Sequence, residues 1–308
     1  MHMSPPMTST RFLILSDTHN YEFPIKPSQF GPKFILPVPK TDVLIHCGDL
    51  TNKGGLKSYK RCLKLLGAID ADLKLVIAGN HDLSLDAAYW ASHRKRWDDA
   101  DEHQKAMQIM EGKEAREAGI RYLEEGMHEF VLKNGARLRV YASPYQPAFC
   151  EWAFQYERHE DRFNCPEQVA QGIMSIAENP IPNYPGVDVV MTHGPPKGVL
   201  DACYGGHEGC ENLLRAIGRA KPLMHCFGHI HEGYGAKVIT WRMEEGAMEM
   251  DGPGFTIGSD LKNTYPESNK YEVKSGEETL MVNAAIRDVK GHPNNVPWLV
   301  DLDLPLAK

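Results

Sequence analysis

The sequence predicts an α/β fold that contains both parallel and antiparallel strands. Apolar runs that stop at glycine or at a polar side chain are typical of buried strands, and five such runs recur along the chain. Between two of them, residues 56–68 carry apolar side chains at helical spacing, which predicts a βαβ unit with parallel strands. Asn134-Gly135 lies between the apolar runs 130–132 and 137–141, and this pair predicts an antiparallel hairpin.

The remaining elements follow in chain order. Residues 84–126 are charged and helical in pattern, a second helix is expected through Leu213 and Ile217, and a final strand is expected at 280–284. The five strands that end in polar side chains occupy 12–19, 43–49, 76–82, 187–194 and 224–231.

The ends of these five strands carry aspartate, asparagine and histidine. In open α/β sheets, ligands bind outside the carboxyl ends of the strands, so we expect these side chains to meet. Carboxylates, amide oxygens and neutral imidazoles bind divalent first-row metals. The seven candidate ligands are Asp17, His19, Asp49, Asn80, His193, His229 and His231.

Seven ligands are too many for one ion of four- to six-fold coordination, so the sequence predicts two divalent ions. A pair about 3.5–4 Å apart shares a ligand, and that arrangement is typical of hydrolases that transfer phosphoryl groups. We expect Asp49, at the end of the second strand, to be the bridge.

The order Asp-x-His, Gly-Asp, Gly-Asn-His-Asp, Thr-His-Gly and Gly-His-x-His, over roughly residues 11–235, resembles the calcineurin-like metallophosphoesterase superfamily. Residues 143–147, 152–156, 192–196 and 227–235 are similar to its metallophosphoesterase-domain-containing branch, which includes animal brain-expressed cyclic-nucleotide phosphodiesterases and fungal homologues. The resemblance implies a four-layered α/β/β/α sandwich of two mixed sheets. Some animal members have glycine at the first histidine of the last block, whereas His229 is intact here.

The same resemblance implies a role for each site residue. His81 corresponds to the family's non-ligand histidine, which contacts substrate and can protonate the leaving oxygen, so His81 and Asp49 are the expected catalytic residues. Asn80 is also expected to contact substrate. Mn²⁺ is the expected metal, with Fe²⁺ and Zn²⁺ as alternatives. The implied first site is Asp17, His19, Asp49 and His231, and the implied second site is Asp49, Asn80, His193 and His229.

The chain departs from the protein Ser/Thr phosphatases of the superfamily after the second strand. Those enzymes have Gly-Asp-x-x-Asp-Arg-Gly, in which the later aspartate orients the catalytic histidine and the arginine binds phosphate. Here Asn52 and Lys53 take those places. Since asparagine cannot stabilise an imidazolium as a carboxylate does, and lysine is a point charge rather than a bidentate fork, we expect a phosphodiesterase rather than a protein phosphatase.

Three other histidines are not expected to be metal ligands. His46 and His225 lie inside apolar strands, so we expect them to be core residues rather than ligands. His207 follows a glycine-rich loop that enters a helix, where backbone donors can bind an anion. It is predicted either to contact substrate or to be a loop residue without a role.

The composition of the chain indicates its domain organisation and its cellular compartment. We expect a disordered tail at 1–10 and a single metallophosphoesterase domain at 11–308, with an insertion near 241–278. The seven cysteines show no paired spacing, which favours a reducing, cytoplasmic compartment. Neither a signal-peptide centre nor an apolar run of about 18 residues is present, so secretion and membrane insertion are not predicted.

The charge balance limits the partners. The formal net charge is −7, from 41 acidic and 34 basic residues without a basic tract, so no broad nucleic-acid surface is expected and protein partners are not predicted. We expect a dinuclear phosphoesterase that hydrolyses small phosphodiesters, including cyclic nucleotides, or phosphomonoesters by in-line attack of a metal-bridging hydroxide. Two alternatives stay open: a two-metal hydrolase of a non-phosphate bond, and a non-catalytic metal-binding scaffold for protein contacts.

Overall fold

A computed structural model describes residues 6–26, 31–242 and 254–307. The helices are α1 Leu56–Gly67, α2 Ala87–His93, α3 Glu102–Glu111, α4 Lys113–Glu117 and α5 Glu211–Ala220, with 3-10 turns at Leu83–Leu85, Pro166–Gln168 and His231–Gly233. The strands are β1 Met7–Leu15, β2 Thr41–Cys47, β3 Ala71–Ile77, β4 Ile120–Tyr122, β5 Gly126–Val131, β6 Arg137–Ser143, β7 Gln146–Pro147, β8 Gln155–Tyr156, β9 Glu160–Asp161, β10 Met174–Ser175, β11 Val189–Thr192, β12 Ala202–Cys203, β13 Gly206–His207, β14 Met224–Phe227, β15 Gly235–Trp241, β16 Phe255–Ile257, β17 Asn269–Lys270, β18 Glu278–Asn283 and β19 Trp298–Pro305.

Two large mixed sheets contain most of these strands. The first sheet has the order β17-β19-β1-β2-β3-β4, in which β1 to β4 are parallel and β19 is antiparallel to β1. The second has the order β16-β15-β18-β14-β11-β6-β5, with a parallel centre flanked by antiparallel β15 and β5. The predicted mixture of parallel and antiparallel strands is therefore confirmed.

Alternation along the strands produces the layers. On β1, Phe12 and Ile14 belong to the apolar core shared by the two sheets, whereas Leu13 and Leu15 belong to a second core that includes α1 and α3. The outer face of the second sheet packs against α5 in a third core. The layers are thus helix, sheet, sheet and helix, which confirms the α/β/β/α fold class.

The local predictions hold where their signals were strong. β2, α1 and β3 form the expected βαβ unit, because α1 buries Tyr59 and Leu66 while β2 and β3 pair in parallel. β5 and β6 pair antiparallel around Asn134-Gly135, and Gly135 has the left-handed φ of 86° that this turn requires. None of the helices in the described ranges is long and apolar enough to cross a membrane.

The predicted disordered tail is wrong for residues 7–10. Met7 to Thr10 pair with β19, for example Thr8 with Leu304, so β1 starts before its apolar run. Residues 1–5 of that tail lie outside the described residues. The pairing partner is at the other end of the chain, and local sequence carries no signal for it.

The insertion expected near 241–278 is described only in part, because residues 243–253 lie outside the described ranges. Beyond them, β16 pairs with β15 in the second sheet and β17 pairs with β19 in the first. The described part of this region therefore supplies edge strands to both sheets. The assignment of 11–308 to a single domain stays a prediction.

Candidate metal centre

The strand ends that were predicted to meet do so at one edge of the two sheets. Each side chain follows a parallel strand: β1, β2 and β3 from the first sheet, and β11 and β14 from the second. Within the described residues, three overlapping groups have ligand atoms within 4.8 Å of one another and could hold a metal ion. They are Asp17 with His19 and His231, His19 with Asp49 and His81, and Asp17 with Asp49 and His193.

Tight backbone corners turn these side chains inward. Asp17, Asp49 and His229 have left-handed φ values of 57°, 54° and 66°, a conformation that costs a non-glycine residue on the order of 1–3 kcal/mol. Hydrogen bonds from Asp17 N to Gly48 O and from His19 N to Asp49 O hold the corners of β1 and β2 against each other. His19, with a φ of 43°, is a fourth candidate ligand in this conformation.

Glycines allow the two sheets to approach at this edge. A Cβ at Gly79 would overlap the Asp49 carboxylate and the His193 ring. A Cβ at Gly228 would overlap the Asp17 carboxylate. These positions require glycine because the strand ends are in contact there.

Three of the histidines are oriented by backbone carbonyls. Each faces a carbonyl oxygen with Nδ1, which fixes the proton on Nδ1 and leaves the lone pair of Nε2 free for a metal. The pairs are His19 with Thr51 at 3.1 Å, His193 with Cys47 at 2.8 Å, and His231 with Asp288 at 3.3 Å.

The inward nitrogens face oxygen atoms. His19 Nε2 is 3.3 Å from Asp49 Oδ2, and His231 Nε2 is 3.3 Å from Asp17 Oδ1. His193 Nε2 is 3.5 Å from Asp49 Oδ1, so Asp49 directs one oxygen to each side of the site.

Asn80 lies on the second side of the centre. Its Oδ1 is 2.8 Å from His193 Nε2 and 2.9 Å from His229 Nδ1. His193 carries its proton on Nδ1, so its Nε2 and the Asn80 side chain present two possible metal-ligand atoms to the same side of the centre. The donor set therefore fits a divalent ion.

Burial and neighbouring charge shift the pKa values of the two central carboxyls in opposite directions. At Asp49, burial and then the charges of Asp17 and Asp82 raise the pKa well above its usual range. At Asp17, burial also raises the pKa, but the hydrogen bond and charge of His231, with the other histidines, outweigh it and lower the pKa. Two buried carboxylates side by side are stable as anions only beside compensating cations.

The histidine pKa values favour neutral, metal-binding rings. Burial lowers the pKa of His19 and of His229 to about 3, and it lowers the pKa of His193 as well. At His231 burial also lowers the pKa, but the hydrogen bond and charge of Asp17 raise it above its ordinary value.

Asp82 is a site residue whose role the sequence analysis missed. It is fully buried, its Oδ2 accepts from Leu50 N at 3.1 Å and Gly79 N at 2.9 Å, and its Oδ1 accepts from Thr51 N at 2.9 Å. Burial raises its pKa to about 6 although these bonds act in the opposite direction. Asp82 therefore joins the ends of β2 and β3; its place three residues after Gly79 was the available signal.

The His81 ring lies beside the centre. Its backbone N donates to Asp49 Oδ1 at 2.9 Å, and its Nδ1 is 2.7 Å from the backbone O of Asn52. The sequence comparison concerned the Asn52 side chain, whereas in the structure the Asn52 backbone carbonyl contacts the His81 ring. Burial lowers the pKa of His81.

A loop near the C-terminus supports the site, and sequence analysis missed it. Arg287 Nη2 donates to Thr18 O at 3.1 Å and His19 O at 2.7 Å, while the Asp288 carbonyl faces His231. Arg287 and His19 are 268 positions apart, so no local pattern connects them.

The remaining histidines separate into core and surface. His46 and His225 are fully buried, as expected, and their Nε2 atoms lie 3.0 Å from Thr18 Oγ1 and 2.9 Å from Thr192 Oγ1. The His207 side chain is 56% exposed, and its Nδ1 is 2.6 Å from Oδ1 of buried Asp201. His207 belongs to none of the metal-binding groups in the described ranges, and its contact with substrate stays a prediction.

Comparison with known proteins identifies the family. The family model for calcineurin-like phosphoesterases matches residues 10–233. The chain is 30% identical over 310 residues to metallophosphoesterase domain-containing protein 1 of Homo sapiens, covering 99% of this chain and 74% of that protein. It is 30% identical over 241 residues to a UPF0046 protein of Caenorhabditis elegans, covering 73% of this chain and 52% of that protein.

A third relative is a much longer protein. The chain is 34% identical over 246 residues to the probable rhamnogalacturonate lyase C of Emericella nidulans, covering 79% of this chain but only 19% of that protein. The lyase name describes a protein of which this chain matches about a fifth. The matched family model and the aspartate and histidine clusters at the strand ends agree: the chain belongs to the calcineurin-like phosphoesterase family.

Proposed function

We propose that this protein is a dinuclear metal-dependent phosphoesterase that acts on small phosphodiesters. The observation that carries the proposal is the position of Asp49, whose two oxygens face His19 on one side and His193 on the other. A carboxylate so placed can serve two ions. The first site would be Asp17, His19, Asp49 and His231, and the second Asp49, Asn80, His193 and His229.

The residues fit that pair of ions. Buried carboxylates, an amide oxygen and neutral imidazoles suit Mn²⁺, with Fe²⁺ and Zn²⁺ as alternatives. Two divalent cations bound there would supply a water of near-neutral pKa and offset the negative charge on the attacking and leaving oxygens. The protein's own contribution is to fix the ligands through strained corners and backbone hydrogen bonds.

His81 is the proposed proton donor to the leaving oxygen. Its Nδ1 donates a hydrogen bond to the Asn52 carbonyl oxygen. Within the described residues, its Nε2 has no hydrogen-bond partner. Nε2 is therefore available to a substrate atom. Asn80 and His81 are proposed to bind the phosphoryl group, with His207 as an outer contact.

The diester preference rests on what surrounds the phosphate. A dianionic monoester is best matched by a bidentate arginine, whereas Lys53, in the corresponding place, is an exposed point charge. We further propose that the protein acts in the cytoplasm, because all seven cysteines are free thiols.

A substrate panel tests the proposal. Metal-depleted protein is reloaded with Mn²⁺ and assayed on aryl diesters, aryl monoesters, 2′,3′- and 3′,5′-cyclic nucleotides and a phosphoserine peptide, with Asp49→Asn as the matched control. We expect metal-dependent cleavage of diesters that exceeds cleavage of the phosphopeptide and is absent from the control.

Three other outcomes would contradict the proposal in different ways. Cleavage of an aryl amide or carboxylic ester without phosphoester cleavage would identify a two-metal hydrolase of another bond. Tight binding of two ions without any hydrolysis would favour a non-catalytic scaffold. Equal or higher efficiency on the phosphopeptide would reject the diester preference alone.

A further inference from the structure

We propose that Trp152 is a positioning residue that holds the His81 imidazole so that its Nε2 faces the metal centre. The inference rests on the proposed function, in which His81 donates a proton to the leaving oxygen. The indole and imidazole rings are 3.9 Å apart between centroids and inclined by 32°. The Trp152 ring therefore covers one face of the His81 ring.

The other contacts of His81 do not fix the orientation of its ring plane. The hydrogen bond from Nδ1 to Asn52 O restrains one atom of the ring. His19 meets His81 edge to face at 4.8 Å, but His19 is itself a proposed metal ligand. Contact across the ring face restrains the plane, and among the described residues Trp152 is the aromatic side chain in that position.

The backbone beside Trp152 is tied to the segment that carries His81. Ala153 N donates to Asn80 O at 3.2 Å, and Phe154 N donates to Asp86 Oδ2 at 2.7 Å. The platform and the ring that it supports are thus fixed to the same stretch of chain. These hydrogen bonds fix the position of the indole relative to His81.

Trp152 is not explained by core packing. It is only partly buried, and the three apolar cores of the described residues do not include it. Stacked aromatic pairs contribute enough beyond burial to change a rate by about 3- to 10-fold when the contact is needed for the reacting geometry. That is the loss expected from removing the indole.

The kinetic test uses Mn²⁺-loaded full-length protein. Trp152→Ala should lower kcat about 3- to 10-fold on a diester with an alkoxide leaving group while KM stays unchanged, and Trp152→Phe should restore most of the rate because it keeps a ring at that position. Phe149→Ala is the matched control, since Phe149 is an exposed aromatic of the same loop. In a His81→Ala background, Trp152→Ala should cause no further loss.

A second measurement is independent of activity. In metal-free protein with isotope-labelled histidine, the His81 ring resonance is assigned by its absence from His81→Ala. The indole ring current should change the chemical shift of this resonance. Trp152→Ala should return the chemical shift toward that of an exposed histidine, and Phe149→Ala should leave it unchanged. An unchanged resonance would overturn the proposed contact even if Trp152→Ala unfolds more easily.

Failure of the inference and failure of the proposed function give different results. If His81→Ala keeps full activity on alkoxide diesters, the proton-donor role is rejected and the NMR result still decides the contact. If His81→Ala is slow but Trp152→Ala adds an equal loss in both backgrounds, Trp152 does not act through His81. A rise in KM at constant kcat would make Trp152 a substrate-binding residue and would overturn the positioning role.

Discussion

The two sheets contribute to the same centre with similar supports but different charges. In each sheet a threonine that directly precedes a candidate ligand histidine pairs with a buried histidine of the neighbouring strand: Thr18 with His46 at 3.0 Å, and Thr192 with His225 at 2.9 Å. The ends of β1 to β3 carry the buried carboxylates, whereas the ends of β11 and β14 carry imidazoles.

This difference shows how the work is divided between the sheets. The first sheet buries the carboxyls of Asp17, Asp49 and Asp82 near one another, and their full ionisation is favourable only beside cations. Burial keeps the imidazoles of His193 and His229 neutral, so their side of the centre carries no comparable charge. Loss of metal should accordingly act on the first sheet, and the following experiments test that division.

The largest effect is expected at the carboxylate shared between the two sides. Asp49→Ala should lose both ions and about 10³-fold or more of the activity, because stabilisation of the transition state by the metal pair amounts to several kcal/mol. His193→Ala, on the second sheet, should lose only one ion. Elemental analysis of the folded variants decides, and two ions retained in Asp49→Ala would contradict the shared role.

The next effect concerns proton donation rather than metal binding. His81→Ala should keep both ions but slow turnover by about 10²–10⁴-fold on alkoxide diesters, with little loss on nitrophenyl diesters whose leaving group departs unprotonated. Single-turnover rates across leaving groups of graded pKa provide the measurement. A uniform loss across the series would leave His81 as an electrostatic contact with the phosphoryl group.

The comparison also shows what a sequence can and cannot predict. The candidate ligands were predictable because each lies at the end of an apolar strand, and the parallel order of the strands brings those ends together. Asp82 was visible in the motif but its role was not, since that role depends on donors in the segments that follow two different strands.

Long-range contacts account for the other omissions. The supports from Arg287 and Trp152 depend on the loops that lie beside the centre in the fold. No local pattern points to Arg287, and the resemblance of residues 152–156 does not show that Trp152 contacts His81. The strand pairing of Met7 to Thr10 is of the same kind, because the partner strand is β19. For Asn52, the side-chain comparison could not show the contact with His81, because the backbone carbonyl makes it.

Metal removal should produce a moderate loss of stability. Each ion at a hundred times its Kd stabilises the fold by about 2.7 kcal/mol, so chelation should lower Tm by about 10 °C if both sites empty. In the metal-free protein, Asp49→Asn should raise Tm because it removes a carboxyl whose ionisation is opposed by burial and by the charges of Asp17 and Asp82, whereas His193→Gln should not. Calorimetry with chelator checks this, and equal effects of the two variants would contradict the division of charge between the sheets.

The smallest effect tests the similarity of the two sheets through the paired histidines. Burial lowers the pKa of His46 and of His225 to about 3. An unfolded histidine has a pKa near 6.5. Between about pH 3 and pH 6.5 the histidine is therefore protonated in the unfolded chain but neutral in the folded chain. Each residue therefore gives full stability above about pH 6.5, and that stability declines as the pH falls toward 3.

The expected slope is about 1.4 kcal/mol per pH unit for each buried histidine within that window. His46→Gln and His225→Gln should each reduce the pH dependence of the unfolding free energy by about one proton between pH 5 and 6, while activity at pH 7.5 changes much less than in the Asp49 or His81 variants. Urea unfolding of metal-free protein at a series of pH values measures the slope. Equal reductions in the two variants would show that His46 and His225 support their sheets in the same way. A reduction in only one variant would show that the other buried histidine accepts a proton in the folded protein.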